Sequence, residues 1–287
     1  MMTARGPAVI RRRLGAALKQ LRVGRGLHLQ AVAQQLEVSS SKLSRLETGA
    51  VAPRIRDVRD LLEIYQAPDE SRARILEWAH DAKEPGWWQP FSAAVPADLD
   101  LYISLEAEAR KIRMYSLPVS GLLQTPDYAR MLLAGVAPYV TSEELDNLIR
   151  VRIGRQVVIA PDRPGAPPVE LHVVLDEAAL RRGTSPSVLE RQLVEILARN
   201  EWANVTIQIL PFDAGFTIPT STFAIFEPRD VRDGVVVNVE SSGQDAYFDT
   251  AGEIAKYEQM WQDLMVKTLN PEASVAFVRS LVNSSAK

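Results

Sequence analysis

Two short helical patterns, separated by a break of three to four residues, stand out in residues 28–49. The apolar residues of the first pattern recur at the i, i+3, i+4 and i+7 spacing of one helix face: Leu29, Val32, Ala33 and Leu36. The second pattern starts after Ser39, a residue type that favours the N-cap position. It ends at Gly49, a residue type that favours the position just after a helix C-terminus. The pattern therefore predicts a helix, a tight turn and a second helix.

The second predicted helix has a polar face that is suited to nucleic acid. At about 100° per residue, Leu43 and Leu46 point inward and Glu47 lies at the border. The opposite side carries three hydroxyls and one guanidinium: Ser41, Ser44, Arg45 and Thr48. Hydroxyls can hydrogen-bond to base edges and phosphates, and arginine can donate two hydrogen bonds to guanine O6 and N7. The face indicates a helix that lies in the DNA major groove. The base contacts that we predict are Ser40, Ser41, Ser44 and Arg45.

Three further helical patterns flank this pair, at residues 11–23, 55–65 and 70–83. Pro53 prevents a simple continuation of the second helix, so a loop is expected there. Residues 1–10 are expected to form a loose arm. We therefore predict an all-α head of five helices over residues 1–83.

Charge supports the nucleic-acid interpretation once the chain is divided. Residues 1–60 hold 12 lysines and arginines against 4 acids, whereas the remainder holds 21 against 32. A basic head can dock on phosphates by releasing counterions, and an acidic body keeps that docking moderate and sensitive to salt.

The composition excludes several classes of site. Without cysteine the chain has no disulfide, thiolate metal site or cysteine nucleophile. The three histidines are far apart in sequence, so we expect no metal and no other cofactor. No apolar run approaches the length of a membrane span, and the basic start lacks the apolar segment of a secretory signal. We expect a cytoplasmic protein that does not enter a membrane.

The segment 84–98 changes composition sharply, with three prolines and three large aromatic residues. We predict an interdomain connector here, packed against one domain because a flexible linker would not carry Trp87, Trp88 and Phe91. Two interpretations stay open. The aromatic residues are either a staple between domains or one wall of a pocket for a ligand or partner.

The remainder, residues 99–287, alternates between helical and strand patterns. A long amphipathic helix is predicted over 99–115, and helices capped at Thr125, Thr141 and Ser185 follow it. Strands are predicted at 169–175, 205–210, 222–226 and 235–239. Two helices, 251–268 and 271–281, end the chain. The fold class is therefore α+β multidomain, with a larger second domain built on a mixed or antiparallel sheet of three to five strands.

Residues 11–66 resemble a helix-turn-helix of the lambda-repressor type, the xenobiotic-response-element family. The matching features are Leu14, Leu18, Arg22, Gly26-Leu27, Val32-Ala33 and the run Ser-Lys-Leu-Ser-Arg-Leu-Glu-Thr-Gly at 41–49. Glu37 departs from the family, which usually has glycine in the turn. A positive φ at this position would cost a non-glycine residue about 1 kcal/mol.

This resemblance implies roles for several charged residues. An ion pair between Arg22 and Glu47 would clamp the first helix to the third and fix the orientation of the recognition helix. The loop after Gly49 would run beside the DNA backbone. The arginine run at 11–13 is either a solvated helix start or a set of phosphate contacts, and we put phosphate contact slightly ahead. The phosphate contacts that we predict are Arg11, Arg12, Arg13, Lys42, Arg54 and Arg56.

Residues 106–282 resemble the C-terminal domain of actinomycete antitoxin-like regulators that carry the same type of head. The matching pieces are Gly121-Leu-Leu-Gln-Thr125, Tyr128-Ala129, Arg152, Arg155-Gln156, Leu175–Glu177, Gln192, Leu210-Pro211 and Phe223. Ser120 replaces the usual proline. The resemblance implies a domain that neutralises a small partner protein, with DNA binding for autoregulation.

No catalytic constellation accompanies these features, and motifs for nucleotide binding, serine hydrolysis and zinc proteolysis do not occur. We expect a sequence-specific regulator of transcription, not an enzyme. It would bind double-stranded DNA as a homodimer, because one recognition helix contacts only a few base pairs. A small protein partner and a small-molecule effector remain alternative roles for the second domain.

Overall fold

The computed structural model describes residues 6–91, 97–136, 139–182, 185–215, 221–241 and 245–285. The chain divides into two compact units. The first comprises Met1–Gln89 and Ile103–Glu108, and the second comprises Pro90–Tyr102 and Ala109–Lys287. The predicted connector 84–98 is thus shared between them, and its residues 92–96 lie outside the described ranges.

The first unit contains the five predicted helices, and the all-α head is confirmed. Their bounds are α1 Pro7–Gly24, α2 Leu29–Gln35, α3 Ser40–Glu47, α4 Ile55–Ile64 and α5 Asp69–Asp81. One apolar core joins all five helices. Its fully buried members include Leu14, Leu18, Val32, Leu43, Leu61, Leu62 and Tyr65. Burying each aliphatic side chain of this core stabilises the fold by about 1.5–3 kcal/mol.

The expected loose arm at residues 1–10 is wrong from Gly6 onward, and residues 1–5 lie outside the described ranges. Helix α1 begins at Pro7, whose ring suits the first helical position. The next three residues are buried: Ala8, Val9 and Ile10. Free backbone amides at the helix start find acceptors, since Gly6 N donates to Glu108 Oε1 at 2.9 Å and Ala8 N donates to Ser104 Oγ at 3.2 Å.

The second unit is built on a mixed sheet, as predicted, but the sheet has six strands within the described residues and not the three to five expected. Its strands within the described residues are β1 Ala109–Ser116, β2 Glu170–Asp176, β3 Val205–Leu210, β4 Phe223–Pro228, β5 Val236–Val239 and β6 Ala246–Phe248. Their spatial order is β3-β2-β1-β4-β5-β6. Strands β1, β2 and β3 are parallel, whereas β4, β5 and β6 pair antiparallel with their neighbours from β1 outward. The four predicted strands are confirmed, and β1 and β6 were missed.

Six further α-helices lie within the described residues. They are α6 Ala97–Glu108, α7 Pro126–Val136, α8 Ser142–Gly154, α9 Pro186–Arg199, α10 Ala251–Lys267 and α11 Pro271–Ser285. Among them, α10 and α11 pack against strands of the sheet. The predicted capping box is present, because Glu144 N donates to Thr141 Oγ1 while Thr141 N donates to Glu144 Oε2. None of the helices that the structure describes combines the length and apolar character needed to cross a bilayer.

The long helix predicted over 99–115 is wrong in its second half. Helix α6 ends at Glu108, and the following residues form β1 at the centre of the sheet. Ile112 satisfies both patterns: it continues the apolar helix stripe, and it is paired with Leu171 on β2 and Phe226 on β4. Pairing on both edges decides in favour of the strand, because short apolar runs are ambiguous between the two periodicities.

A half-buried histidine, His172, lies on β2, in the part of the sheet near α10. The Nε2 atom of His172 is 2.7 Å from Gln208 Oε1, and its ring meets the Trp261 ring edge-on at 4.9 Å between centroids. Burial lowers the pKa of His172, against a smaller raising effect of the Gln208 hydrogen bond. The neutral imidazole is therefore the form that the fold favours.

Candidate nucleic-acid interface and a cavity in the second unit

The turn between α2 and α3 closes with glutamate in the position that favours glycine. Glu37 has φ of 54°, and Val38 N donates to Ala33 O at 2.9 Å. Ser39 then caps α3, because its Oγ accepts a hydrogen bond from Lys42 N at 3.1 Å. The positive φ considered from the sequence is therefore adopted, at a cost of about 1 kcal/mol for a non-glycine residue.

Helix α3 presents one polar face to solvent. Leu43 and Leu46 are buried in the core of the first unit. The exposed residues are Ser41, Ser44, Arg45 and Thr48, and Ser40 is half-buried at the helix start. The Thr48 hydroxyl donates to Ser44 O at 3.0 Å, so it is used within the helix. The structure thus brings the predicted base contacts Ser41, Ser44 and Arg45 together on one accessible face.

The ion pair between Arg22 and Glu47 is present and bidentate. Arg22 Nε donates to Glu47 Oε1 at 2.7 Å, and Nη2 donates to Oε2 at 2.9 Å. The remaining nitrogen, Nη1, donates to Leu27 O at 2.9 Å. The Glu47 side chain is only 3% exposed, and its hydrogen bond raises the pKa of Arg22. The pair joins the last turn of α1 to the last turn of α3, which orients the recognition helix.

Two glycines that the sequence analysis did not single out for packing set how closely α1 approaches α3. A Cβ atom on Gly15 would lie 2.6 Å from Glu47 O, which leaves no room for a side chain. Gly49 has φ of 72°, and a Cβ there would lie 2.6 Å from Arg12 N. The end of α3 is therefore held by backbone contact as well as by the ion pair. An i, i+34 glycine spacing carries no signal that could have revealed this contact.

The predicted phosphate contacts near α3 and α4 differ in their surroundings. Arg54 is exposed at the N-cap of α4. Arg56 is exposed and lies 3.7 Å from Asp60, a surface pair of little energetic weight. Lys42 is held by Asp57, with 2.6 Å between Nζ and Oδ2. Lys42 would therefore have to exchange a carboxylate for a phosphate when it binds DNA.

The arginine run of α1 is half-buried at all three positions: Arg11, Arg12 and Arg13. The guanidinium of Arg13 lies 5.4 Å from the centre of the Trp78 ring, and Arg74 lies at the same distance from that ring. This arrangement is a cation–π contact that restrains Arg13. Arg11 and Arg12 also have interaction partners. Phosphate contact by the three arginines remains a prediction.

The aromatic residues of the predicted connector are divided. Trp88 is 3% exposed in the first unit, with its ring packed on Gly86 and meeting Trp87 edge-on at 5.8 Å between centroids. Phe91 belongs to the second unit and is half-buried. None of the three lines the cavity described next.

A cavity of about 290 Å³ lies in the second unit at the end of β1. Its lining comes from separate parts of the chain: Leu99 and Tyr102 of α6, Met114 and Ser116 of β1, the 118–124 loop, Leu132 and Leu133 of α7, Arg152 and Arg155, and Glu240, Ser241 and Asp245. Arg155 is 5% exposed, and its guanidinium lies 4.8 Å from the centre of the Tyr102 ring. A hydrophobic pattern cannot reveal such a site, because no single segment forms it.

The loop 118–125, which forms the floor of the cavity, is held by buried glutamines. Gln192, which is fully buried on α9, contacts the loop through both ends of its amide. Its Nε2 donates to Leu123 O at 2.7 Å, and its Oε1 accepts from Thr125 N at 2.8 Å. The side chain thereby replaces the backbone partners that this loop lacks.

Two more glutamines complete the support of the loop. Gln156 Nε2 donates to Gln124 O at 2.7 Å and to Gly121 O at 3.1 Å. Gln124 in turn donates from Nε2 to Val119 O at 2.7 Å. All three glutamines were singled out by the second resemblance. The structure now explains them as members of one network of neutral hydrogen bonds.

Comparison with known protein families gives two matches. A helix-turn-helix domain matches residues 13–75, and a domain of unknown function, DUF5753, matches residues 99–280. Searches of curated proteins and of solved structures found no match. The first match agrees with the α2–α3 geometry, and the protein is a helix-turn-helix DNA-binding regulator. Because the second match covers more than half of the chain, the protein belongs to the family defined by the domain of unknown function DUF5753.

Proposed function

We propose that the protein is a sequence-specific regulator of transcription in which α3 contacts bases in the major groove. The exposed face of α3 carries this proposal, because two hydroxyls and one arginine are presented there without competing side-chain ion pairs on Arg45 within the described residues. Ser40, Ser41, Ser44 and Arg45 would contact bases. The predicted phosphate contacts would set the position of the head on the duplex.

The regulator would bind DNA as a homodimer. Helix α3 has eight residues, so one copy can contact only a few base pairs. Two copies on half-sites about 10 bp apart would supply the required sequence length. A DNA-binding role also accounts for the cytoplasmic location expected from the sequence.

The experiment is a pulldown of fragmented host DNA by the purified protein at two salt concentrations. A sharp palindromic site that survives the higher salt would support the proposal and supply the operator. Diffuse binding that disappears with salt would contradict sequence specificity, since counterion release alone produces that behaviour.

On that operator, Arg45→Ala should cost about 1–3 kcal/mol of binding free energy and relax specificity at one base position. Fluorescence anisotropy with single-base operator variants measures both quantities. Arg150→Ala is the matched control, because Arg150 is an exposed arginine of the second unit and should leave binding unchanged. Equal losses of Arg45→Ala on operator and random DNA would rule out a base contact.

For the second unit we propose a receptor role without a catalytic step. Its buried glutamines are committed to loop support, which favours binding over chemistry. Two kinds of ligand are candidates for this receptor role. The likeness to actinomycete antitoxin-like regulators supports a small protein partner, and the cavity supports a small-molecule effector. Co-purification of a small protein from the host would favour the first, whereas a ligand-dependent shift in melting temperature would favour the second.

A further inference from the structure

The cavity lies where the strand order of the sheet changes direction. The chain adds β2 and β3 on one side of β1 and adds β4, β5 and β6 on the other, so the strand order reverses between β1 and β4. Ser116 ends β1, and Glu240 directly follows β5, which runs in the same direction as β1. Both residues line the cavity. In open sheets, ligands bind outside the carboxyl ends of the strands at such a switch point.

The size and walls of the cavity suit a small organic molecule. A volume of about 290 Å³ is at the lower end of the range for ligand pockets. At the volume per atom of a liquid it would hold roughly a dozen non-hydrogen atoms. The apolar part of the lining is Leu99, Tyr102, Met114, Pro118, Val119, Leu132 and Leu133. This apolar lining favours a ligand whose apolar part is about the size of one ring.

The formal charges around the cavity balance. Arg152 and Arg155 lie on one side, and Glu240 and Asp245 line it as well. Each of these residues already has interaction partners in the fold. A charged ligand would lose its hydration without meeting an excess of opposite charge, and that loss is costly. The lining therefore favours a ligand without net charge.

Two neutral groups in the lining retain hydrogen-bonding capacity. The Ser120 hydroxyl, 3% exposed, donates to Met114 Sδ at 3.2 Å, and a thioether is a weak acceptor. The Gln124 side chain is 2% exposed, and the contact to its Oε1 is Arg152 Nη1 at 3.5 Å, which is long for a hydrogen bond. The loop thus offers one donor and one acceptor, each of which would gain from a better partner.

We propose that this cavity binds a small neutral molecule that carries an amide group on an apolar body. The amide carbonyl accepts from the Ser120 hydroxyl, and the amide N–H donates to Gln124 Oε1. This inference deepens the receptor role proposed for the second unit and rests on it.

The test uses the full chain and four probes that share one body. They are 3-phenylpropanamide, its methyl ester analogue methyl 3-phenylpropanoate, the anion 3-phenylpropanoate and the cation 3-phenylpropylammonium. Saturation-transfer NMR titrations at pH 7 measure their affinities. The amide should bind with about millimolar affinity, as its small size allows, and roughly tenfold more tightly than the other three. Tightest binding of the anion, equal binding of all four probes or no binding would overturn the proposal.

Variants then locate the site. Ser120→Ala should weaken binding of the amide roughly fivefold, because its carbonyl loses the donor. Ser280→Ala is the matched control, since that exposed serine lies outside the cavity lining and its hydroxyl donates to Phe277 O at 2.6 Å. It should change affinity less than about twofold. Equal effects of the two serine variants would show that the hydroxyl of Ser120 has no special role.

Leu132→Trp fills the cavity from the half-buried face of α7 and should abolish amide binding. Thermal melts verify that each variant is folded, and retained binding in a folded Leu132→Trp variant would place the probe elsewhere. Operator affinity is measured separately by anisotropy. If the amide probe binds but no operator is found, the proposed regulator role is rejected. If an operator is bound but the probe is not, the proposed amide site is rejected.

Discussion

The two units place their polar residues in opposite ways. In the first unit, the predicted base contacts are hydroxylic or charged and lie on one short helix, α3, whose end is held by the bidentate Arg22–Glu47 ion pair. In the second unit, the polar residues around the cavity floor are neutral amides, buried and contributed by separate elements. The exposed polar helix suits a large charged partner, whereas the cavity of the second unit suits a small ligand.

The largest loss of unfolding free energy should come from breaking the ion pair of the first unit. Arg22→Met leaves the carboxylate of Glu47 buried without its partner, which should cost about 3–5 kcal/mol of unfolding free energy. Urea denaturation followed by circular dichroism measures the loss. The double variant Arg22→Met with Glu47→Leu should recover most of it, because no buried charge remains. A small loss in the single variant would show that the pair is not essential to the head.

A smaller loss is expected from the neutral network of the second unit. Gln192→Leu leaves Leu123 O and Thr125 N without partners and should cost about 2–4 kcal/mol. Differential scanning calorimetry should show this loss in the transition of the second unit only. The exposed Gln259→Ala is the control and should change stability by less than about 0.5 kcal/mol. If both variants behaved alike, the buried amides would not differ from surface ones.

The smallest effect is a pH dependence confined to the second unit. Burial holds the pKa of His172 below its usual value of 6.5, so the neutral form is favoured by the fold. Its stabilising effect is complete above pH 6.5 and is lost as the pH falls through the lowered folded pKa. Urea midpoints between pH 7.5 and 5 measure this loss, and His172→Gln should flatten the profile. The same slope in the variant would assign the pH dependence to other groups.

The sequence predicted much more of the structure of the first unit than of the second. The head could be derived because caps, apolar stripe and polar face of α2 and α3 all lie within residues 28–49. The Arg22–Glu47 ion pair was predicted from a family resemblance. The role of Gly15 was not predicted, because it depends on how closely α1 and α3 cross. In the second unit, β1 was taken for helix since Ile112 fits both periodicities. The cavity was beyond sequence patterns, because its walls meet only when six elements and loops are folded together.

The amide hydrogen bonds that hold the 118–125 loop are insensitive to the pH and the ionic strength of the solution. Amide hydrogen bonds have no titrating group, and buried ones are little screened by ions. The affinity of the head for DNA, in contrast, falls steeply as salt rises. A change in ionic strength would therefore alter the affinity of the head for DNA while the 118–125 loop keeps its shape. The receptor role proposed for the second unit would then be less sensitive to salt than DNA binding by the head.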